Sequence, residues 1–143
     1  MTYDTNNIFA KILRGEAPCH KVYEDEHTLV FMDIMPQTDG HTLVIPKEAA
    51  ETILELSEDA LAACIKTTKR MAQAAKDAFA AEGVSIMQVN GKAAGQTVPH
   101  VHFHIFPGAI IEILKRPHAA ALERPEKLDN HAKRIIAALN EKP

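Results

Sequence analysis

From His100 to Phe106 the chain alternates an imidazole with a large apolar side chain: His100-Val101-His102-Phe103-His104-Ile105-Phe106. A period of two is the period of a β-strand, so His100, His102 and His104 share one face and Val101, Phe103 and Ile105 the other. A helix would turn His102 away from its two neighbours. The pattern therefore predicts a strand from His100 to Phe106 with one face in a core. Its other face would carry three imidazoles about 7 Å apart, at roughly 3.4 Å of rise per residue.

Three chemistries suit such a row: a solvated face that happens to be rich in histidine, a metal site, or covalent catalysis by one imidazole positioned by the others. The loop before it bears on the choice. Asn90, Gly91, Gly95, Gln96 and Thr97 combine two glycines, which let backbone approach a ligand, with side-chain amide and hydroxyl donors. Such a loop can form an anion nest, and it contains no carboxylates for a cation cage. Phosphate with imidazole fits these residues better than a metal does.

The 143 residues suit one domain spanning 1–143. A net charge of −3 argues against a dedicated nucleic-acid binder, which needs a basic face. No stretch approaches the roughly 20 apolar residues that cross a bilayer, and Met1-Thr2-Tyr3-Asp4 does not read as a signal peptide. The expectation is a cytoplasmic protein with no membrane partner. Cys19 and Cys64 read as free thiols, Cys64 on the apolar face of a helix.

In chain order, residues 5–14 predict a short helix capped by Thr5 or Asn6 and ended by Gly15, with Ile8, Phe9 and Ile12 as an apolar face for core or pocket. Strands follow over 21–24, 28–34 and 40–47. Asp33, near the end of an apolar run, needs a hydrogen-bond partner, either ligand hydroxyls or the next turn. Ser57 caps a long helix from Glu58 to about Glu82, with a stripe of Leu61, Ile65, Thr68, Ala72, Ala75 and Phe79 and a stop at Gly83. Residues 84–89 form a further strand, and Ile110–Leu114 reads as a strand extension or an apolar contact. Pro125 opens a last helix with a stripe of Leu128, Ala132, Ile135 and Leu139. His20, His27, His118 and His131 are expected to be exposed. Together these elements predict an α+β fold: an antiparallel sheet of about five strands, helices on one face, and histidines on the other face or its rim.

Asn90-Gly91, then Gly95-Gln96-Thr97-Val98-x-His100-x-His102-x-His104, resembles the histidine triad (HIT) superfamily of nucleotidyl hydrolases and transferases. The resemblance extends over about 6–107, through Ile8-Phe9-x-x-Ile12, Phe31-x-Asp33 and Pro36-x-x-x-Gly40-His41-x-Leu43-Val44-Ile45-Pro46, leaving 108–143 as a C-terminal extension. It implies a nucleoside pocket lined by Ile8, Phe9, Ile12, Phe31 and Ile34, with Asp33 on the ribose hydroxyls. It also implies that Asn90, Gln96 and Thr97 hold phosphate oxygens or the leaving group. His102 would be the nucleophile, His100 and His104 would bind and polarise the phosphate, and His41 would orient the triad from behind.

The implied reaction attacks the α-phosphate of a purine nucleotide, a phosphoramidate or a dinucleoside polyphosphate, through a nucleotidyl-histidine, without a cofactor. Nucleotidyl transfer and a nucleotide-binding regulatory module are the alternatives. The implied assembly is a continuous-sheet homodimer with the long helix at its interface. Some bacterial relatives hold a structural zinc through a cysteine pair, a further histidine and a triad histidine. The matching positions here are Asn7, Ala10 and Ala49, so no bound metal is expected. The segment after Pro107 lacks the glycine pair and the tryptophan-proline ending of the phosphoramidase branch, which leaves the branch open.

Overall fold

The computed structural model describes residues 2–116 and 121–141. Five strands, β1 (Lys21–Glu24), β2 (Thr28–Met32), β3 (Thr42–Pro46), β4 (Val84–Met87) and β5 (Phe103–Pro107), form one antiparallel sheet in the order β1-β2-β3-β5-β4. The helices are α1 (Ile8–Leu13), α2 (Glu58–Ala78), α3 (Ile110–Leu114) and α4 (Pro125–Asn140). The α+β class and the five-stranded antiparallel sheet agree with the sequence pattern. Among the described residues no helix is long and apolar enough to cross a membrane.

All residues of β2, β3 and β5 are buried, so the sheet is covered on both sides at its centre. Register assigns the sides. Val44 lies opposite Val30 and Phe103, whereas Leu43 lies opposite Phe31 and His104. Val30, Met32, Val44, Phe103 and Ile105 pack on Cys64 and Met71 of α2 and on Leu128 and Ile135 of α4. Leu29, Phe31, Leu43 and Ile45 meet Phe9 and Ile12 of α1 on the opposite side. His104 belongs to the α1 side by alternation.

Several boundaries differ from the sequence reading. Strand β5 starts at Phe103, not His100, because Val101 donates its N–H to the Ala50 carbonyl at 2.9 Å and leaves the ladder. Strand β2 stops at Met32, with Asp33 just beyond it. Asn7, not Thr5 or Asn6, caps α1, its Oδ1 accepting from Ala10 N at 2.9 Å.

Helix α2 begins as expected, with the Ser57 hydroxyl accepting from Ala60 N and with Glu58 and Asp59 in the first turn. It ends earlier than Gly83. Ala80 takes φ +49°, Ala80 N bonds Asp77 O, and Ala81 N bonds Lys76 O. That is a Schellman ending built on alanine, at a cost of roughly 1–2 kcal/mol for the left-handed residue. Its buried stripe runs through Cys64, Thr67, Thr68, Met71, Ala72 and Ala75, while Ile65, expected inside, is 48% exposed.

Ile110–Leu114 is a short helix, not a strand extension, and makes an apolar contact through the buried Ile113. His131, expected at the surface, is buried on α4 with its ring edge-on to Phe79 at 4.9 Å. His20 is partly covered and bonds Asp129 at 2.5 Å, and His27 is exposed. His118 lies outside the described residues.

Candidate active site

The imidazoles converge more tightly than strand geometry alone suggests. His102 and His104 have ring centroids 4.8 Å apart. Both line a hollow of about 310 Å³ on the α1 side of the sheet. Ile8, Phe9, Ile12, Phe31, Ile34, Asp33 and Thr97 line it as well. His100, His41, Asn90 and Gln96 do not.

Proton positions around the triad follow from groups that can only donate or only accept. His102 Nδ1 lies 2.7 Å from the His100 carbonyl. The carbonyl accepts, so Nδ1 carries the proton and Nε2 keeps its lone pair. The Phe9 ring stands edge-on to His102 at 5.0 Å. On the neighbouring ring, His104 Nδ1 is 2.9 Å from His41 Nε2. The Gln37 backbone N–H donates to His41 Nδ1 at 3.2 Å, which places His41's proton on Nε2 and makes His104 Nδ1 the acceptor. His104 therefore carries its own proton on Nε2.

His41 is fully buried, and its Nε2 also lies 3.4 Å from Asp33 Oδ2. Asp33 Oδ1 accepts from Met35 N at 2.8 Å, so this carboxylate ties the turn and also borders the hollow. The turn is fixed from below. Gly40 has φ +84°, and a Cβ there would stand 2.8 Å from the Phe79 ring. Only glycine fits this close approach.

His100 is fully buried away from the hollow. Its Nε2–H donates to the Pro46 carbonyl at 2.9 Å, and its Nδ1 accepts from the Tyr3 hydroxyl at 2.6 Å. Burial pushes its pKa below the usual imidazole value, opposed by the bond to the Pro46 carbonyl. With both nitrogens committed, the ring does not offer phosphate the contact that the resemblance implies.

The glycine loop also differs from expectation. Gly91 and Gly95 take φ +93° and +108° around a 3₁₀ turn, Lys92–Ala94. The amides of Gly91, Ala94, Gly95 and Gln96 are all donated within the loop. The Gln96 carboxamide accepts from Gly91 N at 2.7 Å and donates to Glu51 O and Val98 O. Asn90 accepts from Ile53 N at 2.8 Å and exchanges bonds with the Gln88 amide. These two side chains shape the loop instead of standing open to an anion, and Thr97 alone of the three predicted phosphate ligands borders the hollow.

The positions that would hold a structural zinc do not suit one. Asn7 spends its amide on the α1 cap, on Tyr3 Oη and on the Asp4 carbonyl, and Ala10 and Ala49 offer no ligand. Asp33, His41 and His104 bring three donor atoms within 4.8 Å of one another. The hydrogen-bond distance between the two rings accounts for that closeness. Of the cysteines, Cys64 is buried with its thiol pKa pushed up to about 12 by burial, and Cys19, also raised by burial, lines the hollow as a neutral thiol.

Sequence reasoning missed Tyr3, Gln37 and Phe106, whose ring stacks on His104 at 5.6 Å. Asn7 could have been found as a cap, since asparagine is favoured there. Tyr3 had no local signal.

A family model described as the HIT domain matches residues 14–110. The adenosine 5'-monophosphoramidase hnt1 of Schizosaccharomyces pombe is 43% identical over 100 residues, 70% of this chain and 72% of that protein. The adenylylsulfatase HINT3 of Arabidopsis thaliana is 33% identical over 139 residues, 96% of this chain and 70% of that protein. The crystal structure of a Hit-like protein involved in cell-cycle regulation from Bartonella henselae superposes with a TM-score of 0.89 at 44% identity, covering 96% of this chain and 99% of that one.

Proposed function

The chain belongs to the HIT family, and from that premise we propose that it is a nucleotidyl hydrolase acting at the α-phosphate of a purine nucleotide derivative, a phosphoramidate or a dinucleoside polyphosphate. The observation that carries this reading is the His102 ring, with Nδ1–H held by the His100 carbonyl and the ring itself on the wall of the hollow. The Nε2 lone pair attacks phosphorus, the bond to the leaving amine or phosphate breaks, and a proton is delivered to the departing atom. Water then attacks the nucleotidyl-histidine and releases nucleoside monophosphate. His104, with its proton on Nε2, stabilises charge on the phosphoryl oxygens together with Thr97. His41 fixes the His104 tautomer, and His100 holds His102 through its backbone.

In this reading Ile8, Phe9, Ile12, Phe31 and Ile34 hold the nucleoside and Asp33 takes the ribose hydroxyls. Asn90 and Gln96 support the phosphate indirectly, by shaping the loop that presents Thr97. Apolar walls suit a flat base, and a carboxylate at the rim suits a diol.

The test is to quench the enzyme during turnover of a nucleotide labelled at the α-phosphate. An acid-labile, base-stable adduct on His102 is expected, and steady turnover with no adduct would reject the covalent route.

We further propose a homodimer formed at β4. This strand ends the sheet, Ile86 on it is 51% exposed, and Ile65 on the neighbouring α2 is 48% exposed. Pairing β4 with its twofold copy would continue the sheet and cover both side chains. Light scattering should give twice the chain mass, and Ile86→Lys should halve it.

A further inference from the structure

We propose that Tyr3 is a positioning residue for the nucleophile, acting through His100; the inference rests on the hydrolase reading above. His100 has no atom in the hollow, so its influence on the reaction runs through its backbone carbonyl, which accepts the His102 Nδ1 proton. What fixes that carbonyl is the pair of bonds on the buried ring. Pro46 accepts at Nε2, and the Tyr3 hydroxyl donates to Nδ1 at 2.6 Å with its ring edge-on at 5.7 Å.

Donor and acceptor roles then run in one direction from the pocket wall to the His100 ring. Asn7 Oδ1 caps α1, the helix that carries Ile8, Phe9 and Ile12 of the hollow. One proton of its Nδ2 goes to the Asp4 carbonyl at 2.7 Å and the other to Tyr3 Oη at 2.8 Å. With its oxygen engaged by Asn7, the Tyr3 hydroxyl gives its proton to His100 Nδ1.

Removing the hydroxyl leaves a fully buried acceptor without a partner, which is unfavourable. The ring can relieve that cost by turning or by changing tautomer. Either response moves the carbonyl that sets the His102 proton, and with it the alignment of Nε2 on phosphorus. The effect falls on the chemical step, because Tyr3 does not line the nucleoside pocket.

The experiment compares Tyr3→Phe and Asn7→Asp with the parent chain, using a nucleoside phosphoramidate that releases a fluorescent amine, with ring-nitrogen NMR of the histidines alongside. Tyr3→Phe should lower kcat roughly 10- to 100-fold with KM within about twofold, as expected for misalignment of a reacting group. His102, a single Nδ1–H tautomer in the parent, should become a mixture. Asn7→Asp keeps the helix cap but loses the N–H to Tyr3, and should show a smaller loss in kcat of the same kind. If Tyr3→Phe does not fold, Asn7→Asp and the parent spectrum still decide. A protonated His100 Nδ1 in the parent, or unchanged kcat in Asn7→Asp, overturns the proposal. So does full kcat with unchanged His102 nitrogen shifts in Tyr3→Phe. His102→Ala separates the two levels: activity surviving in it removes the hydrolase reading, whereas an inactive His102→Ala beside a fully active Tyr3→Phe removes the Tyr3 role alone.

Discussion

The two faces of one sheet have been put to opposite uses. Toward α2 and α4, Val44, Phe103 and Ile105 meet Cys64, Met71 and Ile135 in a close apolar layer. Toward α1, the adjacent residues Leu43 and His104 border a hollow whose polar rings are held in fixed proton states. Alternation along β3 and β5 supplies both, so a residue's place in the chain, odd or even, decides whether it contributes stability or chemistry. Each face also buries a histidine. His131 is held by Phe79 and His100 by a hydrogen-bond chain, and burial lowers the pKa of both.

The largest test of this division pairs one substitution from each face. His102→Ala should reduce turnover on the order of 10⁴-fold or more, since it removes the nucleophile, while leaving the melting transition close to the parent's. Met71→Ala should do the reverse, costing about 2–5 kcal/mol in urea unfolding for a fully buried side chain, with kcat retained in the folded fraction. A Met71→Ala protein with normal stability and lost activity would break the separation.

Gly40→Ala should sharpen it, because Gly40 joins the faces: its turn leads into His41 and its backbone rests on Phe79. The added methyl meets a ring at 2.8 Å from a left-handed backbone. A loss of about 2 kcal/mol or more is expected, together with a several-fold lower kcat as His41 shifts against His104. Stability measured by denaturant and turnover on the same sample would check both.

The smallest effect is in pH. Both histidines have folded pKa values below 6.5, so above pH 6.5 the folded and unfolded states are equally unprotonated there. Below it the unfolded chain takes up protons that the folded chain refuses, and stability falls as pH drops through the folded values. The melting temperature should decline from pH 7 to pH 5, and His131→Gln should flatten part of that slope while leaving the part due to His100.

Much of this arrangement was legible in the residues. Alternation gave the facing of the His102 and His104 rings but not of His100, which lies before β5 with its ring buried away from the hollow, and Ser57 gave the start of α2. Apolar runs gave β2 and β3 as strands. The misses share a cause, in that tertiary contacts overrode local signals. Gly83 was the favoured helix stop, yet the chain turns at Ala80, next to the Phe79 that seats against Gly40 and His131. Gln96 and Asn90 read as phosphate donors because amides suit phosphate, but the Glu51 and Val98 carbonyls and Ile53 N claim them first. The bond from Tyr3 to His100 spans 97 residues, and no local pattern announces a contact at that range.

The partner of His102 Nδ1 is a neutral carbonyl, not a carboxylate. In the proposed reaction the ring becomes cationic once phosphorus is attached, and a peptide dipole compensates that charge only weakly. The phosphorus–nitrogen bond is then left energised and the imidazole a ready leaving group. A nucleotide lodged on this ring is therefore primed for attack by water.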